Sequence, residues 1–453
     1  MVIGLEATRA NKKHKTGTEW YAWHMIQELK KINTPHKFVV YYNQELEPAL
    51  SASAEHFIFK KLNWPFSKLW THLRLGLELL VRPVDIFFAT NAIPFFHRGK
   101  MVLTVHDLGF MRNPELYHPL ARVYHRLSHY FGIKQAYKIL VPSEATRKDV
   151  LHYFPAAANK IKVVYLGFDD HQFQVLSEAE KEEIRNKFDL PENFILYIGR
   201  LETKKNIQNL LRAYKLSEQR WPLVLAGSAG RHGQEEINEL LADPKIKDNV
   251  FVLGYVNQKD YTRLMGSASA FVFPSNFEGF GIPLLEAMAC SVPIICSDLP
   301  VLHEVAGECA IYFDPSNTTD IAEKINYIVN HPEIRAQLAQ SGLARVKRFS
   351  WAKCARESLE YIVGCSADTK LLEVRVFDEA SKKTVYTTQT VKAEKKGESN
   401  CPHCAIGHDA NKSKIWSFSE MDADHVTAWN KGGATAAKNY QMLCKTHNRA
   451  KGN

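Results

Sequence analysis

Two glutamates stand eight residues apart in the segment 274–289. Glu278 follows an apolar strand on a glycine-rich loop, and Glu286 lies in a helix that Pro283 opens. A loop carboxylate can accept hydrogen bonds from sugar hydroxyls, while the helical carboxylate, two turns inward, can bind a ribose diol. The segment therefore predicts a site that holds a nucleoside and a sugar. Exposed backbone amides would add donors for the sugar at Phe280, Gly281 and Ile282.

A cationic loop earlier in the chain has the composition of a phosphate site. Gly199 and Arg200 follow the apolar run 194–198, and Lys205 stands just before the helical run 207–214. A strand, a basic loop and a helix N-terminus together can bind an anion. Arg200 can bind phosphate oxygens as a fork, and Lys205 can add a point charge. Since glycosyl transfer from a nucleotide sugar must neutralise a departing diphosphate, this loop fits that chemistry; basic residues on an ordinary surface loop are the alternative.

Cysteine and histidine pairs near the C-terminus have the spacing of metal ligands. Two residues separate Cys401 from Cys404, two separate Cys444 from His447, and about forty lie between the pairs. Two such knuckles can supply the four ligands of one tetrahedral zinc ion. A small domain with little core needs such a site to fold. We therefore expect a structural zinc ion there, and not disulfide bonds.

The elements that must position the glutamates and the cationic loop alternate twice between apolar strands and amphipathic helices. This rhythm predicts parallel α/β sheets in two doubly wound halves. The first half is expected to hold strands at 38–42, 85–89, 101–105, 138–141 and 161–165. The second half, after a polar stretch at 177–187, is expected to hold strands at 194–198, 223–226, 250–253, 270–273 and 294–296.

The rhythm stops after residue 365, which predicts a third and smaller domain at 366–453. The segments 371–377 and 384–390 are predicted to be strands joined by a lysine-rich turn. The cysteine and histidine pairs follow these segments, so the zinc ion would belong to this domain.

The composition is that of a globular protein with anionic partners. The 453 residues suffice for two or three domains. A net charge of +9 favours nucleotide diphosphates, nucleic acids or acidic lipid headgroups without choosing among them. No apolar run has the length of a signal sequence or a spanning helix, so we expect a cytoplasmic protein. The amphipathic segment 62–80 predicts either a helix on a membrane surface or a core-facing helix.

The motifs of the first two halves resemble those of the glycosyltransferase family 4 enzymes. Glu278 and Glu286 form the Glu-x7-Glu element that marks the family. The resemblance implies the GT-B fold, in which two Rossmann-like domains face a cleft, with 1–170 on the acceptor side and 171–365 on the nucleotide-sugar side. It also implies transfer with retention of configuration. Further motifs of the family stand at 15–19, 106–108, 142–146, 166–169, 199–200 and 254–256.

The resemblance also assigns roles to single residues. Gly17, in the loop after the first strand, would approach the donor phosphates, and His106 would meet the donor sugar across the cleft. His106 and Glu278 would be the catalytic residues, and the donor is expected to bind without a metal because Arg200, Lys205 and a helix dipole neutralise it. The acceptor would be a glycan or a lipid-linked sugar. One departure is the single Gly17, where the family has a Gly-Gly pair.

The last 55 or so residues resemble the HNH nuclease family, with its treble-clef-like ββα-metal hairpin. The resemblance implies that His425 activates water and that Asp424 and Asn448 hold Mg²⁺ or a similar divalent ion. Asn439 would orient the loop. Three interpretations stay open for this domain: an active nuclease, an inactive or merely DNA-binding treble clef, and a purely structural zinc site.

Together these observations predict a cytoplasmic glycosyltransferase, in contact with the inner face of the membrane, that carries a C-terminal HNH domain able to bind or cleave DNA. The pairing is unusual and suggests a fusion near residue 365. The competing interpretation is an HNH-type DNA endonuclease or DNA-binding protein whose α/β part is a scaffold. The presence of Arg200, Lys205, Glu278 and Glu286 together argues against it.

Overall fold

The computed structural model describes residues 1–52, 54–66, 69–91, 93–230, 232–364, 379–406, 411–425 and 440–444. The chain forms two units: Met1–Leu29 with Lys37–Cys365, and Lys30–His36 with Ser366–Asn453. Among the described residues, no helix is both long and apolar enough to cross a membrane.

The first half of the larger unit is built on a parallel sheet of seven strands in the order β3-β2-β1-β4-β5-β6-β7. The order reverses between β1 and β4, which makes that point the switch point of the sheet. The strands are β1 (Val2–Glu6), β2 (Lys37–Tyr42), β3 (Phe57–Lys61), β4 (Ile86–Ala89), β5 (Lys100–Thr104), β6 (Lys138–Val141) and β7 (Ile161–Val163). The helices are α1 (Gly17–Lys31), α2 (Pro48–Ser51), α3 (Gly76–Val81), α4 (Gly109–Arg112), α5 (Pro119–Gln135) and α6 (Glu144–Tyr153).

The second half repeats this plan with six parallel strands in the order β10-β9-β8-β11-β12-β13, so its switch point lies between β8 and β11. The strands are β8 (Ile195–Ile198), β9 (Leu223–Ala226), β10 (Val250–Gly254), β11 (Ala270–Phe273), β12 (Ile294–Ser297) and β13 (Ala310–Phe313). The helices are α7 (Glu178–Lys187), α8 (Ile207–Leu216), α9 (Gln234–Leu241), α10 (Gln258–Ser267), α11 (Ile282–Ala289), α12 (Pro300–Ala306), α13 (Thr318–Asn330) and α14 (Pro332–Val346). The next helix, α15 (Trp351–Val363), returns to the first half, where Trp351 stacks on His24 with ring centroids 4.8 Å apart.

The sequence explains both sheets in the same way. The central strands β4, β8, β11 and β12 are buried along their whole length, because helices cover both faces of each sheet. These strands therefore appear in the sequence as continuous apolar runs. The two halves predicted from the alternation are confirmed.

The two halves contact each other through loops and helix ends at the carboxyl edges of their sheets. The Glu304 carboxylate of α12 accepts the backbone N–H groups of Glu144 (2.7 Å) and Ala145 (3.2 Å), so it caps the N-terminus of α6. A negative charge is favourable at that end of a helix. The Ser143 hydroxyl donates to the carbonyl oxygen of Gly279 at 2.9 Å. These contacts hold the crevice between the halves at one end.

The amphipathic segment 62–80 contains a π-helical turn at Trp70–Leu75 followed by the start of α3. Trp70, Leu75 and Leu79 are buried in the core of the first half. The core-facing interpretation is therefore confirmed for these residues, whereas Phe66 and Leu77 are exposed.

The smaller unit contains α16 (Glu379–Lys396), α17 (Pro402–Ile406) and the antiparallel pair β14 (Met421–His425) and β15 (Tyr440–Cys444). The strand predicted at 384–390 is wrong, because this segment lies within α16. Val385 and Tyr386 pack on the core of the unit, and Gln389 donates to the Met442 carbonyl oxygen at 2.8 Å. This helical spacing of inward residues prevails over the β propensity of threonine and valine. The strand predicted at 371–377 lies outside the described residues.

Candidate active site

The segments predicted to do chemistry meet at the switch point of the second sheet. The loop after β8 and the loop after β11 are neighbours there, since β8 and β11 pair with each other. Asn276 locks the two loops together: its backbone N–H donates to the Lys204 carbonyl and its side-chain amide to the Thr203 carbonyl, both at 3.2 Å. Ligands of open α/β sheets bind outside the carboxyl ends of the strands at this point.

Glu278 and Lys205 form an ion pair across these two loops. The Lys205 Nζ lies 2.5 Å from Glu278 Oε1, and both side chains are half-buried. Lys205 also lies 5.6 Å from the centroid of the Phe273 ring. The pair fixes the direction of the Glu278 carboxylate, which has further lone pairs for sugar hydroxyls. The structure thus brings the predicted phosphate ligand and the predicted sugar ligand into direct contact.

Glu286 lies on α11 and accepts a hydrogen bond from the Tyr261 hydroxyl of α10. Burial raises the pKa of Glu286 to about 7, and the nearby charge of Asp169 adds to the rise while the Tyr261 bond opposes it. A carboxyl group with this pKa is about half ionised at pH 7 and more fully ionised above it. When ionised, it can accept two hydroxyls of one diol.

Arg200 is exposed on a backbone turn that is itself held rigidly. Gly199 adopts φ +154°, and a Cβ there would lie 2.5 Å from the Tyr197 hydroxyl oxygen. That hydroxyl donates to the Arg200 carbonyl at 2.9 Å. The loop backbone is therefore fixed while the guanidinium faces solvent.

The start of α11 faces the first half of the unit. Gly281 has φ +106°, which favours glycine, and Ile282 begins the helix. A Cβ placed on Gly17, at the N-terminus of α1, would lie 4.0 Å from Ile282 Cδ1. Gly17 and Ile282 are thus brought together, as the predicted roles require. The Phe280 side chain is buried beside Tyr165, with ring centroids 6.1 Å apart, so only its backbone can serve a ligand.

His106 comes just after β5 and touches the loop that carries Glu278. Its Nε2 lies 2.8 Å from the Thr90 carbonyl oxygen, which can only accept, so the proton is on Nε2 and the lone pair on Nδ1. Burial lowers the pKa of His106, which is therefore neutral. A Cβ on Gly279 would lie 2.1 Å from the His106 carbonyl oxygen, so this close approach requires glycine. His106 and Glu278 consequently lie on opposite walls of one crevice.

A second charged pair crosses the crevice and had no assigned role in the sequence interpretation. The Lys204 Nζ donates to the Tyr117 hydroxyl at 2.9 Å. Burial opposes charge on both Asp107 and Lys204, yet Lys204 helps to lower the pKa of Asp107, and Asp107 helps to raise the pKa of Lys204. Asp107 stands in the family motif 106–108 and Lys204 stands beside Lys205, but the sequence assigned a role to neither. Tyr261, the partner of Glu286, carried no signal.

In the smaller unit, three of the predicted zinc ligands lie together. The sulfur atoms of Cys401, Cys404 and Cys444 lie within 4.8 Å of one another and are buried. This set fits a metal that prefers thiolates. The strand register places Asp424 opposite Gln441 and His425 opposite Tyr440. Three other predicted residues, Asn439, His447 and Asn448, lie outside the described residues.

Comparison with known proteins agrees with the geometry of the larger unit. Residues 15–172 match the family Glycosyltransferase Family 4, and residues 178–345 match Glycosyl transferases group 1. The O-antigen chain mannosyltransferase B of Escherichia coli is 33% identical over 267 residues, which are 57% of this chain and 69% of that protein. The chain belongs to glycosyltransferase family 4.

Two more comparisons describe this glycosyltransferase. One relative is the N-acetylgalactosamine-N,N'-diacetylbacillosaminyl-diphospho-undecaprenol 4-alpha-N-acetylgalactosaminyltransferase of Campylobacter jejuni. The two sequences are 25% identical over 329 residues, and these residues make up 69% of this chain and 85% of that protein. The crystal structure of Anabaena HepE in complex with UDP and glucose matches with a TM-score of 0.65 and 19% identity, over 80% of this chain and all of that one. The predicted GT-B fold and glycosyltransferase activity are confirmed, while the roles of single residues stay predictions.

Proposed function

We propose that this glycosyltransferase moves a hexose from a nucleotide-diphosphate sugar to a glycan or lipid-linked acceptor, with retention of configuration. The observation that carries the proposal is the contact of Glu278 with Lys205 at the switch point, with Glu286 on the helix that follows the Glu278 loop and His106 on the facing wall. Mannose is the first sugar to test, since one relative is an O-antigen chain mannosyltransferase. Surface-polysaccharide assembly is the corresponding role.

The donor would bind in the second half, residues 171–365. We infer that Glu286 accepts the ribose hydroxyls, that Arg200 and Lys205 bind the diphosphate, and that Glu278 accepts hydroxyls of the sugar. The backbone amides of Gly281 and Ile282 would donate to the sugar, and Phe280 would contribute only its amide. Gly17, which has no side chain to obstruct them, would approach the phosphates from the first half.

In the reaction, the bond between the anomeric carbon and the phosphate oxygen breaks, and a bond from the acceptor oxygen to the same face of that carbon forms. The acceptor proton passes to the departing phosphate oxygen. Lys205 stabilises the charge that develops on the diphosphate, as fixed cations do in such steps. His106, neutral and with its lone pair on Nδ1, would accept a hydroxyl of the donor sugar. Residues 1–170 would hold the acceptor.

The test is a thermal-shift screen of the full-length protein with nucleotide sugars and free diphosphates, followed by NMR of the product. A ligand that binds the native state raises its stability by mass action. One nucleotide sugar should raise Tm selectively and yield an α-linked product from an α-linked donor. No shift with any donor, or inversion at the anomeric carbon, would contradict the proposal.

A lipid-linked acceptor would place the enzyme in the cytoplasm, at the inner face of the membrane. The Campylobacter relative is named for an acceptor on diphospho-undecaprenol, which supports this choice. Transfer to a diphospho-polyprenol sugar and to the same sugar without its lipid should be compared. Equal turnover of the two would argue for a free glycan acceptor.

For residues 366–453, the buried cluster of three cysteine sulfurs supports a structural zinc site, and we propose a second activity there from the resemblance to the HNH nucleases. We infer that Cys401, Cys404, Cys444 and His447 bind a structural zinc ion in an HNH-like domain. Asp424 and Asn448 would hold Mg²⁺ or a similar divalent ion, His425 would activate water, Asn439 would orient the loop, and DNA would be the partner.

Elemental analysis should find one zinc per chain, lost in Cys401→Ser. A supercoiled-plasmid assay with Mg²⁺ should show nicking that His425→Ala abolishes while zinc is retained. Nicking that persists in His425→Ala would refute the nuclease roles. Zinc without any nicking would leave the inactive treble clef or the structural site.

A further inference from the structure

Helix α5 carries its apolar residues on its outer face. Six of them recur every three or four positions along one stripe, and each is between 48% and 76% exposed. A surface helix of a globular protein normally turns such a stripe toward the core. We call this stripe the α5 face; its residues are Leu120, Val123, Tyr124, Leu127, Tyr130 and Phe131.

The opposite side of α5 is packed against the protein through both polar and apolar residues, including the buried Ile133. His125 and His129 lie on the Phe110 ring of α4, with centroids 5.5 and 4.7 Å apart. Burial lowers the pKa of His129 to about 4, so this inner side carries a neutral imidazole. A Cβ on Gly132 would lie 1.7 Å from Ile93 Cδ1, so the helix sits too closely on the core to rotate. The outward direction of the apolar stripe is therefore built into the packing.

The exposed apolar surface continues beyond α5 onto the loop before β5. His72 bonds the Tyr124 hydroxyl at 2.7 Å and stacks on the Phe95 ring with centroids 4.5 Å apart. Gly76, at the start of α3, lets the Phe96 backbone approach, since a Cβ there would lie 3.1 Å from its carbonyl oxygen. Phe95 and Phe96 are both exposed. The exposed apolar patch thus spans α5 and the loop that carries Phe95 and Phe96. Contiguous apolar surfaces of this kind mark interaction sites.

The charged residues of α5 itself have one sign. The helix contains Arg122, Arg126 and Lys134 and no aspartate or glutamate. Lys134 Nζ lies 5.9 Å from the Tyr130 ring centroid, and Lys100 Nζ lies 4.6 Å from the exposed Tyr137 ring. Apolar and aromatic side chains ringed by cations suit an anionic bilayer surface, where the apolar stripe enters the headgroup boundary. A second copy of this chain would bring like charges together.

We propose that the α5 face docks this glycosyltransferase on an anionic membrane surface, with α5 lying in the plane of the headgroups. The proposal deepens the proposed function, since a lipid-linked acceptor lies in such a surface. It moves the membrane contact from the segment 62–80, where the sequence pattern suggested it, to α5 and the adjoining Phe95 and Phe96. Leu127 and Phe131 would enter the bilayer boundary, and Arg126 and Lys134 would contact lipid phosphates.

The experiment is flotation of the full-length protein with vesicles that contain no acceptor and no donor. Vesicles of phosphatidylcholine alone are compared with vesicles in which roughly a third of the lipid is phosphatidylglycerol. The double variant Leu127→Glu and Phe131→Glu is compared with a matched variant at exposed apolar sites far from α5 in sequence, Leu216→Glu with Val252→Glu. All four sites are exposed, so circular dichroism should show unchanged folding.

The wild type and the matched variant should bind anionic vesicles and lose binding at high salt, and the α5 variant should bind roughly tenfold more weakly or not at all. No binding by the wild type, or equal binding by both variants, would overturn the proposal. Concentration-dependent dimerisation that the α5 variant abolishes, without vesicle binding, would assign the face to a second copy instead. Because the vesicles lack donor and acceptor, a failed transferase assay leaves this result unaffected.

Discussion

The sharpest test of the donor site is the pH dependence of nucleotide-sugar binding through Glu286. Burial raises the pKa of this carboxyl to about 7, and only the ionised form can accept both ribose hydroxyls. With that pKa the ionised fraction is about 0.9 at pH 8 and about 0.1 at pH 6, so affinity should fall roughly tenfold between them. In Glu286→Gln the affinity should be weak and independent of pH.

Isothermal titration with a nucleotide sugar is the assay, because its diphosphate diester does not titrate between pH 6 and 8, whereas a free nucleoside diphosphate does. Glu6→Gln is the matched control, since burial also raises the pKa of Glu6 to about 7 and Glu6 lies outside the proposed donor site. The control should keep the wild-type pH dependence. If Glu286→Gln keeps that dependence as well, the assignment of Glu286 to the ribose is wrong.

Three further outcomes follow from the structure. Lys205→Ala removes the cation that holds Glu278 and is expected to lower kcat about 10²-fold. Steady-state release of the nucleotide measures this, and a change in KM alone would contradict the role of Lys205 in the reaction. Because the pKa of Glu6 is higher in the folded than in the unfolded protein, the free energy of unfolding falls as pH rises from about 4.5 to 7. Glu6→Gln should therefore raise the free energy of unfolding by roughly 3 kcal/mol at pH 8 and by little at pH 4.5, as measured by urea denaturation. Gly279→Ala places a methyl group against the His106 carbonyl, so Tm and turnover should both fall, and unchanged turnover would refute the close contact of the walls.

Fully buried strands are the clearest in the sequence, although the partly exposed strands β2, β7 and β10 were also predicted. β4, β8, β11 and β12 lie inside their sheets as continuous apolar runs, which periodicity detects. The edge strands β3 and β13, which have half-exposed positions, were not predicted, whereas the half-exposed edge strands β7 and β10 were. Exposure at a sheet edge therefore does not by itself hide a strand. The error at 384–390 has a different origin: a segment of good β formers became a helix because its inward residues pack at helical spacing.

The candidate site was predictable where its residues are close in sequence and obscure where they are not. Glu278 and Glu286 form one motif, and Lys205 stands in a recognisable basic loop. The pairing of Lys204 with Tyr117 joins residues 87 positions apart, and only the meeting of the two halves creates it. Likewise, the stripe on α5 is visible in the sequence, but periodicity does not say whether a stripe faces inward or outward.

Helix α5 connects the proposed membrane surface with the reaction crevice. Its outer face is the apolar stripe, and His125 and His129 on its inner face pack on Phe110 of α4. The N–H of Gly109, the first residue of α4, donates to Asp107 at 2.9 Å, and Asp107 directly follows His106. These contacts run from α5 through α4 to Asp107 and so join the proposed membrane face to the wall that carries His106. Docking by the α5 face would accordingly bring this wall of the crevice toward membrane lipids, which suits a lipid-linked acceptor.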